Sequence, residues 1–448
     1  MTAPPAAAVA PHLRRARAAV AALFFVNAVL YANLVPRLPE VKDALGLSNA
    51  ELGAAVAAMP VGALLSGLLA PVLIQRLGSA RVASFGLVAT AVVLVGVPYA
   101  GVWAAFAALL LLIGALDAVV DVAQNAHGFR VQRAYGRSIV HAFHGVWSIG
   151  AVAGGLLGSA AVALGLPLST HLAAVAVVFG VASVAGYRFL LRGPEDAERV
   201  AQQGLRSTDA DGAAPAADDA ATRAAGGPAP ASAATPRRAR WTRRTVLVMA
   251  ALGVLAAAGA FVEDAGSTWG ALYLRGEVGA AAATAGLAFV SLQVAMTVGR
   301  LLGDRLVDRF GQRRVTVVGG AAIAVGMGGA LAVPTLATTL VGFALAGLGV
   351  ATLVPAVMHA ADELEGLPPG LGLTIVSWLL RVGFLLSPAL VGVVADATSL
   401  RWALLGVVVA GVATFGLGRV LPGRGAHHGG PSRVPPAPGS AGAAPVGG

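Results

Sequence analysis

Apolar residues along this chain gather into long blocks separated by short polar, glycine or proline turns. Twelve blocks, roughly residues 18–36, 51–73, 82–99, 102–126, 139–164, 168–191, 245–262, 280–302, 315–333, 337–358, 371–395 and 402–420, reach the length of a membrane crossing. About 20 helical residues rising about 1.5 Å each span the acyl core. The first block follows Arg14 and Arg15 in the manner of a signal peptide, but no clean small-residue cleavage site follows and eleven further blocks do, so it reads as helix 1. The pattern predicts an all-α polytopic membrane protein.

Two segments break the pattern. Residues 193–242 are too rich in Ala, Pro and Asp to bury a core, and they predict a disordered cytoplasmic linker that divides the helices six and six. Residues 422–448 have the same character, and His427 and His428 within them lack further metal ligands. The organisation is an N-terminal tail (1–13), a six-helix bundle (14–192), the linker (193–242), a second six-helix bundle (243–421) and a C-terminal tail (422–448).

Composition agrees with membrane residence: 57% of the 448 residues are apolar and 12% charged, against about 25% charged in ordinary soluble domains. With no cysteine there is no disulfide framework, zinc–thiolate site or cysteine nucleophile. Basic residues are almost all arginine, which together with the Ala and Gly excess points to a GC-rich bacterial genome. The net charge of +10 is explained by topology. If both termini are cytoplasmic, 24 basic residues near helix ends fall on the inner side and 4 on the outer side, as the positive-inside rule requires. The chain is expected to sit in the cell membrane with both termini inside, and a nucleic-acid partner is not expected.

An internal repeat joins the two halves. RLGSARV at 76–82 returns as RFGQRRV at 309–315, each after the second helix of its half. The second copy, GDRLVDRFGQRR (303–314), resembles the loop signature of the major facilitator superfamily, Gly-x-x-x-Asp-Arg-x-Gly-x-Arg-Arg. Asp308, Arg309, Gly311, Arg313 and Arg314 match, while Asp304 stands at the leading Gly position. In the first copy Arg76 and Gly78 match, but Gln75 replaces the Asp and Pro71 the leading Gly. Within that superfamily, FFVNAVLYANLVPRLPEVKDALGLS (24–48), DVAQNAHG (121–128), FHGVWSIGAVAGGLLG (143–158) and GRLLGDRLVDRFG (299–311) look like the fucose-permease-like branch. The resemblance implies two bundles, each of inverted three-helix repeats, around a midplane cavity opened alternately to either side. It also implies gating by the loop motif, where Asp308 accepts from the loop arginines or a neighbouring helix N-terminus.

Carboxylates deep in a bilayer persist where they face water, a partner or a proton path. Asp117, Asp121 and Asn125 share one face of helix 4. Asp117 is the more central by residue count, whereas the resemblance puts the protonatable helix-4 acid at Asp121; Asp121 is the favoured proton site and Asp117 its partner. Hydrated structural carboxylates are the competing reading. Glu263, followed by Asp264 in FVEDAGSTW, is a third proton-coupling candidate. The substrate-binding candidates are Asn27 and Tyr31 on helix 1, Asn125, His144 on helix 5, and Arg381 midway along helix 11. His141 is assigned to packing. Arg381 is expected to pair with an acid such as Glu263, or, if unpaired, to attract a substrate carboxylate. Pro388 is expected to kink helix 11. Trp269 and Tyr273 are expected in the outer aromatic belt. Gly150, Gly154 and Gly158 form a stripe for close helix approach.

These readings combine into a monomeric secondary transporter of a small polar solute, a sugar or related metabolite, with protons as the coupling ion and no other cofactor. An efflux antiporter is the second reading. A metal-dependent membrane enzyme using two Asp and two His has acceptable ligands but no known spacing, and a non-transporting sensor lacks an extramembrane domain.

Overall fold

The computed structural model describes residues 9–193, 195, 242–364, 367–368 and 370–423, apart from the side chain of His141. Twelve of its helices are long and apolar enough to cross a membrane. In the first half they are α1 (Pro11–Leu45), α2 (Asn49–Ser66), α3 (Ser79–Tyr99), α4 (Trp103–Tyr135), α5 (Ala142–Ala163) and α6 (Leu168–Tyr187). In the second half they are α7 (Arg243–Gly276), α8 (Ala282–Phe310), α9 (Gln312–Ala332), α10 (Leu336–Asp362), α11 (Leu371–Ala397) and α12 (Leu400–Val420). No strand occurs among the described residues. Nearly all of the linker and C-terminal tail expectations, at 194, 196–241 and 424–448, lie outside the described residues.

Helices in lipid gain little from mutual burial of apolar surface and associate by close packing, which small residues permit. The glycine stripe of α5 does this against α1. A methyl group at Gly150, Gly154 or Gly158 would fall 2.5, 2.7 and 2.6 Å from the main-chain oxygens of Phe25, Val29 and Asn33. Gly62 of α2 and Gly114 of α4 meet the partner backbone in the same way, as do Gly319 of α9 and Gly349 of α10.

The repeated loops are turns of a single residue. Gly78 (φ 86°, ψ 143°) separates Leu77 from the start of α3, and Gly311 (φ 83°, ψ 149°) separates α8 from α9. Positive φ with extended ψ is territory that only glycine enters freely, so the repeat in the sequence is a repeat in backbone conformation.

Several helices outrun their expected ends. Helix α1 begins at Pro11, inside the expected tail, and α4 runs to Tyr135 rather than 126. The extra turns of α4 are held by polar contacts that hydropathy does not register. The ring of His127 is hydrogen-bonded with the Ser79 hydroxyl (2.8 Å) and accepts from the Leu191 main-chain N–H (3.1 Å). Arg130, 2% exposed, pairs with Glu195 at 3.2 Å. Helix α7 continues past Asp264 through a π-helical segment, Ala265–Trp269. Trp269 and Tyr273 are 0% exposed, so they are core residues and not an aromatic belt. The continuation of α7, Gly270–Gly276, packs against α8. Helix α11 is continuous through Pro388.

Candidate functional site

A cavity of about 350 Å³ lies between the two halves. Its first-half wall carries Asn27 and Tyr31, one turn apart on α1, with Asp117 of α4 and Trp147 of α5. Its second-half wall carries Glu263 and Asp264 of α7, Gln293 of α8 and Arg381 of α11. Residues from five candidate positions spread over more than 350 residues of chain are thus brought to one space: Asn27, Tyr31, Asp117, Glu263 and Arg381.

The first-half wall is a directed hydrogen-bond chain. The Trp147 indole N–H donates to Asn27 Oδ1 at 2.9 Å. An indole nitrogen only donates, so the Asn27 oxygen must face Trp147 and its amide N–H₂ must face the other way. There it donates to Asp117 Oδ1, again at 2.9 Å. Asp117 is exposed to the cavity, and no cation lies within ion-pair distance of it among the described residues. The sequence showed Asn27 and Asp117; Trp147, which fixes their orientation, was not singled out, because its partner is 120 residues away.

The second-half wall is organised around two adjacent acids with different partners. Glu263 pairs with Arg300 of α8 at 3.7 Å, which corrects the expected pairing with Arg381. Arg381 reaches the cavity from α11 while Arg300 approaches Glu263 from α8, and among the described residues no ion pair holds Arg381. Asp264 is 8% exposed. The Thr268 hydroxyl donates to its Oδ1 and the Ser387 hydroxyl of α11 to its Oδ2, each at 2.7 Å. Thr268 lies four residues on, a helical-neighbour signal present in the sequence; Ser387 is legible only in three dimensions. Gln293 is 3% exposed and its Oε1 has no hydrogen-bond partner among the described residues.

Asp121, Asn125 and His144 are not on the cavity wall. Asp121 lies one turn beyond Asp117 toward the chain termini, where Asn125 Nδ2 donates to its Oδ1 at 3.0 Å. His144, near the start of α5, stands edge-on to Phe24 with ring centres 5.3 Å apart. Asp121 and His144 are exposed, as is Arg381, so the cavity opens toward the end of the molecule that bears the termini. At the opposite end the halves meet. Asp396 of α11 accepts from the Asn49 and Ala50 main-chain N–H groups of α2 at 2.9 and 2.8 Å, and Arg275 pairs with Asp43 at 2.8 Å. Gly53 lies against Pro388, and Gly155 against Phe289.

The loop-motif residues lie on the open side. Asp308, Arg309, Arg313, Arg314 and Arg76 are exposed, and Arg313 Nε donates to the Leu421 carbonyl at 3.0 Å. Asp308 is exposed and makes no hydrogen bond or ion pair among the described residues, so neither the loop arginines nor a helix N-terminus holds it as expected. No group of three or more His, Asp or Glu among the described residues is arranged to hold a metal.

Twelve membrane helices in two six-helix halves, with a cavity between the halves whose wall carries Asp117, Glu263, Asp264 and Arg381, make the architecture of a multi-pass solute transporter. The chain belongs to the Major Facilitator Superfamily, whose family model matches residues 20–264 and 255–443. It is 27% identical over 383 residues to an uncharacterised MFS-type transporter of Yersinia pestis, covering 84% of this chain and 88% of that one. It is 30% identical over 397 residues to the membrane protein MosC of Rhizobium meliloti, covering 88% and 87%. Among solved structures, the nucleoside transporter NupG superposes with a TM-score of 0.67 at 13% identity over 90% of this chain and 98% of that one. A D-xylose–proton symporter gives 0.65 at 13% identity over 90% and 97%. The family, the Yersinia pestis relative and the two structural neighbours are transporters, not enzymes.

Proposed function

We propose that this chain is a secondary active transporter of a small, uncharged polar solute, a sugar or related polyol, coupled to protons by alternating access. The observation that carries this reading is the cavity-facing chain Trp147–Asn27–Asp117. It presents one carboxylate to the cavity between the halves and fixes its orientation without an ion pair. Such a carboxylate binds a proton or a hydroxyl-bearing solute from the same cavity, which is what coupling requires. Asp117 is the proton site; Asp121, one turn nearer the opening, relays the proton to that side with Asn125 and His144 around it. Asn27, Tyr31, Gln293 and Arg381 bind solute, and Glu263, held by Arg300, is structural. The fold shared with a sugar symporter and a nucleoside transporter, and the sequence resemblance to the fucose-permease-like branch, support this substrate class.

Alternation is carried by the two halves rocking about the cavity, with Asp308 and its loop engaging a partner in the opposite state. With both termini cytoplasmic, the described conformation is closed outside and open inside. A reporter fused at the C-terminus is then active only in its cytoplasmic form.

The test has two stages. A thermal-shift panel of monosaccharides, polyols and organic acids on the purified protein identifies a ligand. Proteoliposomes then compare accumulation driven by a pH gradient with counterflow exchange. Asp117→Asn is expected to abolish accumulation and keep counterflow, since an amide mimics a permanently protonated acid. Accumulation against a gradient by Asp117→Asn would overturn its role.

A further inference from the structure

The wall opposite Asp117 holds a second carboxylate in a comparable setting. Asp264 lines the same cavity, is 8% exposed, and has both oxygens within 2.7 Å of a hydroxyl, Thr268 on one side and Ser387 on the other. Its neighbour Glu263 has taken the nearby Arg300 at 3.7 Å, and no ion pair of Asp264 exists among the described residues. The titratable and charged groups that share its surroundings are Tyr31 on α1, Asp117 on α4, Glu263 beside it, Arg381 on α11 and Arg300 behind Glu263. Two hydroxyls offer hydrogen bonds to either form of the group: they donate to a carboxylate, and one of them accepts from a carboxylic acid after a simple rotation. A site that satisfies both forms with neutral, rotatable partners is suited to gaining and losing a proton without rearrangement.

The local backbone supports a functional role. The π-helical segment Ala265–Trp269 starts directly after Asp264, and single-turn π-segments inside long helices concentrate at functional sites. Ser387 precedes Pro388, which lies against Gly53 of α2 at the closed seam between the halves. The Asp264–Ser387 bond therefore ties α7 to α11 one residue from that seam. A hydrogen bond to an ionised acceptor is roughly twice as strong as a neutral one, so this tie tightens when Asp264 ionises and relaxes when it is protonated.

We propose that Asp264 is a second proton-carrying group, the counterpart of Asp117 in the other half, and that its proton exchange sets the α7–α11 tie beside the outer seam. The step is a simple transfer: the carboxylate takes a proton from a cavity hydronium, leaving water, and returns it to water when the cavity faces the other way. The proposal rests on the proton-coupled reading above and extends it to two carboxylates.

The test needs no substrate. The full-length protein, reconstituted in lipid, is titrated with pH while infrared difference spectra record the carboxylic-acid C=O band. Wild type is expected to show, among the components of its other Asp and Glu residues, one that belongs to Asp117 and one that belongs to Asp264. Asp117→Asn should remove one and Asp264→Asn the other, while Glu263→Gln leaves both. The double variant Thr268→Val/Ser387→Ala should shift the position of the Asp264 component only, a signature that a purely structural role would not give. It also serves if Asp264→Asn does not fold. A component unchanged by Asp264→Asn, or one unmoved in the double variant, overturns the proposal and leaves the Asp117 component as a separate reading of the first-half site. Loss of the second component in Glu263→Gln would assign it to Glu263 and overturn the proposal as well.

Discussion

Asp396, at the end of α11, caps the helix that starts at Asn49, although the two residues lie in opposite halves of the molecule and 347 positions apart. Its carboxylate oxygens take the Asn49 and Ala50 main-chain N–H groups, which no intrahelical carbonyl can satisfy. Ser48 and Glu51 form a capping box at the same terminus, so the Asp396 contact adds to a helix end that is already stable within its own half. Its contribution therefore goes to closure of the seam rather than to formation of α2.

Removing this contact should favour the state open on the other side. A lost cap contact is worth about 1 kcal/mol, which changes a two-state ratio by about 5-fold. The chain has no cysteine, so Met59→Cys on the cavity wall is a sole thiol. Asp396→Ala in that background should raise its labelling by an impermeant maleimide from the outer face by about 5-fold. An unchanged rate would mean that the seam is held by its other contacts, the Arg275–Asp43 pair and the packing of Gly53 on Pro388 and of Gly155 on Phe289.

Asn27 is the residue on which the first-half wall depends. Asn27→Ala leaves the Trp147 N–H and one Asp117 oxygen without this partner, and a lost hydrogen bond is worth about 0.5–1.5 kcal/mol, or about 1.5–3 kcal/mol to a charged group. Solute affinity should fall by about 10-fold or more, as read by the midpoint of a ligand-induced thermal shift. Asn27→Asp keeps an acceptor for Trp147 but faces Asp117 with a second acid, and it should make binding more dependent on pH than in wild type. Equal behaviour of the two variants would show that the amide bridge is incidental.

The helices and the duplication were legible in the sequence because hydropathy and the RLGSARV/RFGQRRV repeat are local properties. Asn27, Tyr31, Asp117, Glu263 and Arg381 were legible because a polar group inside an apolar run stands out. Partners were not. Glu263 pairs with Arg300 and not Arg381, a choice decided by which helix each side chain approaches from. Asp121 and Asn125 share a helical face with Asp117 but lie beyond the cavity, since a shared face says nothing about depth. Asp264 stands beside Glu263 in the sequence, and the partners on other helices that distinguish the two acids, Arg300 for Glu263 and Ser387 for Asp264, are set by the fold.

The α1–α5 seam should be intolerant of bulk. At Gly154 an added methyl group would meet the Val29 carbonyl at 2.7 Å, and main chain cannot rotate away as a side chain can. Overpacking costs typically about 1–3 kcal/mol and more when helices must separate. Gly154→Leu should lower the melting midpoint and the yield of monodisperse protein. Gly145→Ala, where nothing lies within 4 Å, should leave both unchanged. If Gly154→Leu melted like wild type, the close approach of α1 to α5 would be wrong.

The two repeated loops should respond differently to loss of their acids. At the first, Glu195 accepts from the Ser79 main-chain N–H at 2.6 Å and pairs with the buried Arg130 at 3.2 Å. It supplies an acid at a loop whose own motif has Gln75 in the Asp position. At the second, Asp308 is exposed and makes no bond among the described residues in this state. Glu195→Ala should therefore destabilise the described conformation by about 1–3 kcal/mol, since it removes a charged acceptor from a buried guanidinium and from a helix N-terminus. Glu195→Gln, which keeps a hydrogen-bond acceptor, should fall between the two. Asp308→Asn should leave the melting midpoint unchanged and alter only the balance between states, seen in the outer-face labelling of Met59→Cys. A melting midpoint lowered as far by Asp308→Asn as by Glu195→Ala would show that Asp308 already has a structural partner in this state.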